Sequence, residues 1–343
     1  MKVLVIGPSW IGDMVMAQSL FRCLQARNPQ VVIDVLALDW TRELLDRMPE
    51  VNRAIAMPVG HGKLALGKRR QLGKSLRSEA YQQAIVLPNS FKSALVPFFA
   101  KIPLRTGWRG EARSWLLNDC RKLDKQQYPL MVERFAALGF PENSPLPKPL
   151  FWPALRVSAE INVTKEKFNL ETKRDIIIFC PGAEFGPSKK WPESNFAKLA
   201  DALISEGKQV WLMGSKNDAQ TAQNIIATIQ PEHKKHMVSL AGLTSIGEAI
   251  DLMSLAHTVV SNDSGLMHIA AAMKKALVVF YGSTSPEFTP PLSNRVEILT
   301  LKLSCSPCFK RECPLEHLDC LNQLSPKAAL DAIRKIHQQL DEV

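Results

Sequence analysis

The chain has 343 residues, of which 46% are hydrophobic, and it carries a formal net charge of +10. This length suits one large domain or two of ordinary size, and the hydrophobic content is ample for buried cores. No apolar run approaches the roughly 20 residues that cross a bilayer, and the apolar start is too short for a signal-peptide core. Seven cysteines at scattered spacings indicate a reducing compartment. We therefore expect a cytoplasmic protein.

The positive charge is concentrated in one stretch. Residues 51–110 contain eleven lysines and arginines and a single acid, Glu79, so this stretch accounts for the whole net charge. Its partner should be anionic: a phosphorylated substrate, an acidic membrane surface or a nucleic acid. Nucleic acid is the weakest of these, because no zinc-finger spacing, RNP-like run or helix-turn-helix pattern lies beside the charges. A basic face that serves only solubility is the alternative.

Short apolar runs alternate with helical patterns along the first half of the chain. They predict strands at Lys2–Ile6, Val31–Ala37 and Ala84–Leu87, and a helix from about Asp13 to Arg27. Five prolines then occur between Pro141 and Pro153. Such a run excludes helix and central strand and predicts a semi-rigid connector between two domains.

The same alternation restarts after the connector. It predicts strands at Asp175–Cys180, Gln209–Met213, Met237–Leu240, His257–Ser261 and Ala276–Tyr281, with helices at about Glu193–Glu206, from Asn217, at Ser245–Leu255 and at Ser325–Leu340. Alternating strands and helices indicate parallel sheets covered on both faces. We predict an α/β protein with two Rossmann-like, doubly wound domains facing a cleft, over residues 1–160 and 161–324. Ligands should bind at the carboxyl ends of the strands.

The run Ser261–His268 is the most informative motif. It lies between an apolar run and a small-residue helix, so it forms a strand, a polar turn with Gly265 and a helix start. The first turn of a helix has unpaired N–H groups and partial positive charge, and together these bind phosphates. A plain N-cap formed by Asp263 or Ser264 is the alternative.

The first strand is followed by the loop Gly7–Asp13. It has neither the three glycines of a dinucleotide fingerprint nor the Gly-Lys-Ser/Thr of a P-loop. The absence of the three-glycine fingerprint disfavours a nicotinamide-dependent oxidoreductase. Asp13 stands at the predicted helix start, where a carboxylate either caps the helix or acts as a base toward a bound hydroxyl.

Two further loops follow strands of the second half. Lys189 and Lys190 lie in a turn that begins at Gly186, where they either hold a diphosphate or form a solvated basic turn. Asp218 follows the strand at Gln209–Met213, and it either accepts hydrogen bonds from a ribose or caps a helix.

Two other features leave alternatives open. Cys305-x-x-Cys308 is followed by Cys313 and Cys320, with a histidine nearby. Four thiols can hold zinc or an iron–sulfur cluster, but the spacings are irregular, and we interpret the segment as an unmetallated surface loop. Trp108 and Trp115 are predicted either to lie in the core or to form a platform on which a sugar stacks.

The motifs together resemble those of a known family, the bacterial lipopolysaccharide heptosyltransferases of glycosyltransferase family 9. The resemblance rests on the first loop ending in Gly12-Asp13, on Lys189-x-Trp191-Pro192, and on Asp263-Ser264-Gly265-x-x-His268. It implies the two-domain GT-B glycosyltransferase fold, with a C-terminal helix at 325–343 that packs back on the first domain. It also implies an inverting transfer from ADP-heptose to the first heptose of the lipopolysaccharide inner core, without metal or cofactor.

Roles for individual residues follow from this resemblance. Asp13 would be the general base. The nucleotide sugar would be bound in the second half by Ser188, Lys189, Asp218, Asp263, Ser264, Gly265 and His268. The heptosyl-Kdo2-lipid A acceptor would be bound by basic residues of the first half, Lys63, Arg69, Arg70, Lys92 and Arg109. The anionic inner face of the inner membrane would be a peripheral partner, and nucleic acid would not be one.

The residues themselves agree with a metal-independent transfer. No Asp-x-Asp pair occurs in the chain, so the usual carboxylate clamp for a nucleotide-bound divalent metal is missing. Lysine and a helix dipole must then stabilise the leaving diphosphate. A sister core heptosyltransferase with another acceptor, and a non-catalytic nucleotide-binding protein that docks on acidic membranes, are the alternatives.

Overall fold

The computed structural model describes residues 1–60 and 62–341, and the backbone forms two compact units. The first comprises Met1–Arg156 with Glu287–Thr289, and the second comprises Val157–Pro286 with Pro290–Val343. We predicted the change of domain at residue 160. The structure differs from the predicted division at Glu287–Thr289, which we had placed in the second domain. The last two residues of the predicted segment 325–343 lie outside the described residues.

Six parallel strands form the sheet of the first unit. They are β1 (Lys2–Ile6), β2 (Val32–Ala37), β3 (Val51–Ala56), β4 (Gln83–Val86), β5 (Leu104–Trp108) and β6 (Asp119–Arg121). The helices of this unit are α1 (Ile11–Arg27), α2 (Arg42–Leu45), α3 (Leu66–Ser75), α4 (Leu95–Phe99) and α5 (Met131–Ala137). The strand order is β3-β2-β1-β4-β5-β6, so the order reverses between β1 and β4.

The second unit repeats this arrangement. Its strands are β7 (Ile176–Cys180), β8 (Gln209–Leu212), β9 (Met237–Ser239), β10 (Thr258–Asn262), β11 (Ala276–Phe280) and β12 (Val296–Leu299). Its helices are α6 (Ile161–Lys167), α7 (Glu193–Ser205), α8 (Ala219–Thr228), α9 (Ile246–Ser254), α10 (Gly265–Ala272), α11 (Asp319–Asn322) and α12 (Pro326–Asp341). The order β12-β11-β10-β7-β8-β9 reverses between β7 and β10.

The central strands form because they are rich in apolar, β-branched residues. Residues Val3–Val5 are fully buried, and so is each residue of β7, because helices cover both faces of a parallel sheet. Neighbouring strands pair in parallel register throughout, as in Ile6 with Leu36 and Val86. The predicted α/β class with two doubly wound parallel sheets is therefore confirmed.

The last helix, α12, contacts α7, β11 and β12 of the second unit. Its packing on the first domain stays a prediction. Its Ile333 and Ile336 side chains are buried in the second core, and His337 Nε2 lies 2.6 Å from Thr258 Oγ1. The apolar stripe of α12 packs on this side because α7 and the outer strands of the second sheet provide apolar surface there.

No helix among the described residues combines the length and the apolar character needed to cross a membrane.

Candidate functional site

The point where the strand order of the second sheet reverses is the first candidate site. Ligands of doubly wound sheets bind beyond the carboxyl ends of the strands at such a point. The loops that follow β7 and β10 both begin there, and they contain Lys189 and Asp263. The predicted nucleotide-sugar residues of these two loops therefore come from the edge of the sheet where the fold favours a ligand.

A buried amide joins the two loops. Asn262 is fully buried at the end of β10. Its Nδ2 donates to the Pro181 carbonyl at 2.7 Å, and its Oδ1 accepts from the Trp191 amide at 3.0 Å. The Trp191 ring stacks on Phe280 with 4.1 Å between centroids. The loop carrying Lys189 is thus fixed at both of its ends against the sheet.

A buried ion pair lies at the centre of the site. Lys189 Nζ is 2.6 Å from Asp263 Oδ2, and the two side chains are 14% and 4% exposed. The Thr284 hydroxyl donates to the same carboxylate oxygen. Lys189 Nζ also lies 5.0 Å from the centre of the Phe185 ring. This arrangement fixes the position of the Lys189 ammonium group beyond the ends of the strands.

The helix that follows Asp263 has an open N-terminus. Ser264 is the N-cap of α10, and its backbone is extended, but its side chain makes no capping hydrogen bond. Gly265, which has no side chain, is the first residue of the helix. The first-turn N–H groups are donors for an anion, and the helix dipole adds partial positive charge. Ser264 therefore occupies the N-cap position without capping the helix through its side chain, which was the alternative that the sequence left open.

His268 lies on the first turns of α10 and is buried. Burial lowers the pKa of its imidazole to about 4, and the Lys189 charge acts in the same direction against the opposing effect of Asp263. The ring is therefore neutral at pH 7. A neutral imidazole next to a cation and a carboxylate is a hydrogen-bonding group without charge.

Ser188 and Asp218 are already engaged within the fold. Ser188 is buried, and its hydroxyl donates to the Lys310 carbonyl and lies 3.0 Å from Ser283 Oγ. Asp218 Oδ2 accepts from the Ser215 amide at 2.9 Å and from the Ser215 hydroxyl at 2.8 Å. These are the bonds of a helix cap, the alternative that the sequence left open for Asp218. Ser188 likewise supports the loop rather than facing out of it.

Gly182 is needed for this position of Asp218. A Cβ atom at residue 182 would lie 2.3 Å from the Asp218 carboxyl carbon. Only glycine leaves room for the carboxylate, so the loop after β7 and the cap after β8 fit together as one unit.

A cavity of about 400 Å³ in the first unit is the second candidate site. It lies where the order of the first sheet reverses, because the loops after β1 and β4 line it. Asp13, in the first turn of α1, is one of the lining residues. The N-cap of α1 is Trp10, so Asp13 is inside the helix and not at the cap position.

The predicted acceptor residues divide into two groups. Arg69 and Lys92 line the cavity, whereas Lys63, Arg70 and Arg109 are exposed and are not among its lining residues. Arg69 is turned inward because its guanidinium donates to the Leu64 and Lys63 carbonyls at 2.7 and 3.2 Å. Burial lowers its pKa.

The wall of the cavity formed by the loop after β4 depends on Arg113, which is fully buried. Its guanidinium donates to the carbonyls of Pro88, Ser90 and Trp108 and to the side-chain oxygens of Asn89 and Ser93. Burial lowers its pKa to about 10, so it is charged at pH 7. Arg113 therefore fixes the loop that presents Lys92.

The two tryptophans of the basic region do not form one platform. Trp108 is buried, lines the cavity and packs on Tyr128, with 5.9 Å between the ring centres. Trp115 is 63% exposed and contacts Phe91 and Phe98. Of these two rings, Trp108 lines the cavity and Trp115 does not.

Comparison with known families agrees with this geometry. A model of the family described as glycosyltransferase family 9 (heptosyltransferase) matches residues 69–319, which is most of the chain. The chain belongs to glycosyltransferase family 9. The predicted family membership is thus confirmed, and this family 9 protein is a heptosyltransferase enzyme.

Relatives named heptosyltransferase 2 resemble this family 9 chain over most of its length. Lipopolysaccharide heptosyltransferase 2 of Escherichia coli strain K12 is 51% identical over 342 residues, which cover 98% of each chain. Lipooligosaccharide heptosyltransferase 2 of Haemophilus ducreyi is 51% identical and covers 88% of this chain and 89% of its own. The solved structure of the E. coli ADP-heptose lps heptosyltransferase II superposes with a TM-score of 0.91 at 48% identity, over 99% of this chain and 100% of that one.

Two residues at the candidate sites were not predicted from the sequence. Thr284 contacts Asp263, and Arg134 of α5 lines the first-unit cavity. Thr284 follows β11 at the same edge of the sheet, so the rule that ligands bind at strand ends would have found it. Arg134 lies outside the basic stretch 51–110, and only the packing of α5 brings it to the cavity.

Proposed function

We propose that the chain is a heptosyltransferase II, which transfers L-glycero-D-manno-heptose from ADP-heptose to the first heptose of the lipopolysaccharide inner core. Relatives that carry this name share about half of their residues with the chain over nearly its full length. A buried lysine–aspartate pair at the reversal point of the second sheet is the observation that supports the chemistry best.

The donor is assigned to the second unit. Lys189 and the open N-terminus of α10 present positive charge, and both would stabilise the diphosphate of ADP-heptose and the charge that develops as it leaves. Asp263 keeps Lys189 in place and offers a carboxylate oxygen to the sugar hydroxyls. Neutral His268 adds a hydrogen-bonding group without repelling the ammonium charge.

The acceptor is assigned to the cavity of the first unit. Arg69, Lys92 and Arg134 line it together with Asp13. These three cations suit the phosphorylated, acidic inner core, whereas Asp13 suits a reacting hydroxyl. The exposed Lys63, Arg70 and Arg109 are assigned to more distant anionic groups, because they do not line the cavity.

The reaction is a single displacement with inversion. Asp13 takes the proton of the acceptor hydroxyl, and the oxygen attacks the anomeric carbon of the heptose. The bond between that carbon and the phosphate oxygen breaks, and ADP leaves with the electron pair. Lys189 and the α10 dipole stabilise the departing charge, and the proton on Asp13 passes to solvent.

The acceptor also suggests a location. We assign the enzyme to the cytoplasmic side of the inner membrane as a peripheral protein, because the acceptor is a lipid and residues 51–110 carry a large positive excess. Sedimentation with vesicles tests this. We expect binding to vesicles that contain anionic phospholipid and release at high salt, and equal binding to neutral vesicles would contradict the assignment.

Transfer to defined acceptors tests the activity. With ADP-heptose as donor, mass spectrometry should detect one added heptose on heptosyl-Kdo2-lipid A and none on Kdo2-lipid A. Addition only to an acceptor that already carries both heptoses would indicate a sister core enzyme. Absence of transfer to any acceptor, with nucleotide binding intact, would indicate a non-catalytic protein.

The role of Asp13 is tested by Asp13→Asn. Loss of a general base lowers kcat by about 10²- to 10⁴-fold, whereas ADP-heptose binding should be unchanged because the donor is assigned to the other unit. Asp39→Asn is the matched control, because Asp39 is an acid of the same unit whose side chain is 78% exposed. A variant at Asp13 with unchanged kcat would exclude it as the base.

A further inference from the structure

The segment between β12 and α11 is held in place by few regular interactions. Residues 300–318 contain neither helix nor strand, and connections of this length without secondary structure are uncommon in compact domains. Phe309 and Leu315 within it are about half exposed. Its backbone is left-handed at four non-glycine residues: Lys302, Phe309, Glu316 and Leu318. Such a backbone persists only where other contacts fix it.

Four of the seven cysteines lie in or next to this segment and line one small cavity. The cavity measures about 20 Å³, which is room for about one water-sized group. Its lining includes Cys305, Cys308, Cys313 and Cys320, together with His317. All four thiols are free and partly buried. The spacing in the sequence is irregular, but the fold brings the four sulfurs to one place.

Several thiolates gathered in one cavity would repel one another, and a bound cation would remove that repulsion.

We propose that Cys305, Cys308, Cys313 and Cys320 bind one structural metal ion of the kind that prefers thiolates, with Zn²⁺ as the expected occupant. Metal binding by these four cysteines is the alternative that their spacing in the sequence left open. Four cysteine ligands give a closed tetrahedral site, which is typical of structural zinc and leaves no position for a substrate. The ion would cross-link a segment that has no other regular framework.

Binding requires the side chains to move inward. Among residues 1–60 and 62–341, no group of three or more histidine, cysteine or acidic side chains lies close enough together to hold a metal ion as it stands. Thiolates bound to zinc at about 2.3 Å lie roughly 4 Å from one another. Loss of the thiol protons and rotation of the side chains would therefore accompany binding.

The cysteine segment also supports the loop that carries Lys189. The Arg311 carbonyl accepts from the Ser188 amide at 3.2 Å, and the Ser283 carbonyl accepts from the Phe309 amide at 2.7 Å. Gly186 fits against Arg311, because a Cβ atom there would lie 2.5 Å from the Arg311 carbonyl oxygen. A metal ion would therefore stabilise the donor site from behind, at a distance from the reacting atoms.

Metal content of the full chain, purified under reducing conditions without chelator, tests the proposal. We expect one zinc per chain by elemental analysis. After zinc is removed and Co²⁺ is added, thiolate-to-cobalt charge-transfer bands should appear. A thiol reagent should modify four more cysteines once a strong chelator is present. None of these measurements depends on transferase activity.

Single variants locate the ion. Cys308→Ser and Cys313→Ser should lose most of the zinc, whereas the control Cys120→Ser should keep it, because Cys120 lies in β6 of the first unit. Zinc retained by both cluster variants, metal-free wild-type protein whose four thiols react at once, or a disulfide among them in reducing buffer would each overturn the proposal. If a variant fails to fold, the zinc content and cobalt spectrum of the wild type decide.

Discussion

Acidification should destabilise the second unit through His268. Burial holds the pKa of its imidazole at about 4, whereas the value without burial is 6.5. The unfolded chain therefore takes up a proton in this interval before the folded chain does. The contribution of His268 to the free energy of unfolding is fully present above pH 6.5 and falls as the pH drops from 6.5 to 4. Below pH 4 this residue causes no further change.

The size of the effect follows from the two pKa values. At 1.36 kcal/mol per pH unit, the interval between them amounts to roughly 3 kcal/mol for complete protonation. At pH 5 the unfolded histidine is almost fully protonated and the folded one is not, which gives roughly 2 kcal/mol. That is a large fraction of the 5–15 kcal/mol by which domains are typically stable, so urea unfolding would detect it.

The assay compares urea unfolding at pH 7.5 and pH 5 for wild type and His268→Gln. Glutamine keeps a polar side chain but does not titrate, so the variant should lose roughly 2 kcal/mol less than wild type on acidification. His236→Gln is the control: His236 ends a short 3-10 helix and is partly exposed, and although burial also lowers the pKa of its imidazole, it lacks the near-complete burial of His268. If wild type and His268→Gln show the same loss between the two pH values, the imidazole is not kept neutral by burial.

Three other experiments test the contacts of the two sites. Lys189→Met removes the partner of buried Asp263 and should lower the free energy of unfolding, measured in urea, by about 3–5 kcal/mol. Asp263→Asn in the same chain should recover much of this loss, and additive effects of the two substitutions would contradict the coupling. Arg113→Lys should lower the free energy of unfolding by at least about 2 kcal/mol, because an ammonium cannot reach all five hydrogen-bond acceptors. It should also raise the KM for the acceptor substrate more than it lowers kcat. An unchanged melting temperature and KM would contradict this. Gly182→Ala should displace the Asp218 carboxylate and cost about 1 kcal/mol or more, the value of a helix cap, by thermal unfolding; a variant as stable as wild type would show that the cap adapts.

The sequence predicted the central strands and one edge strand, β9, and it missed β3, β5, β6 and β12. Strands β7 and β11 are uninterrupted apolar runs, because helices cover both of their faces. Strand β3 contains Asn52 and Arg53, which are exposed, and β12 contains Glu297. A strand with one solvated face and few residues has no clear period, so its pairing is decided by the neighbouring strand.

Those residues of the candidate site that follow the end of a strand could be predicted from the sequence. Lys189 and Asp263 were both predicted because each follows an apolar run, and parallel strands place such residues at one edge. Charge alone could not decide which arginines line the cavity. Arg69 and Arg70 are adjacent in α3, yet the first is buried by its bonds to the preceding loop and the second faces solvent. Helix phase and tertiary packing, which the composition does not contain, make that difference.

Phe288 has a consequence for how the protein is made. Its carbonyl accepts a hydrogen bond from the Met131 amide at 3.0 Å, and its ring lies 4.7 Å from the Arg134 guanidinium. The first unit is therefore completed by three residues that the ribosome adds long after residue 156. Helix α5 lacks this partner in the nascent chain until nearly all of the later sequence has been synthesised, so the amino-terminal half finishes folding only after translation has passed residue 289.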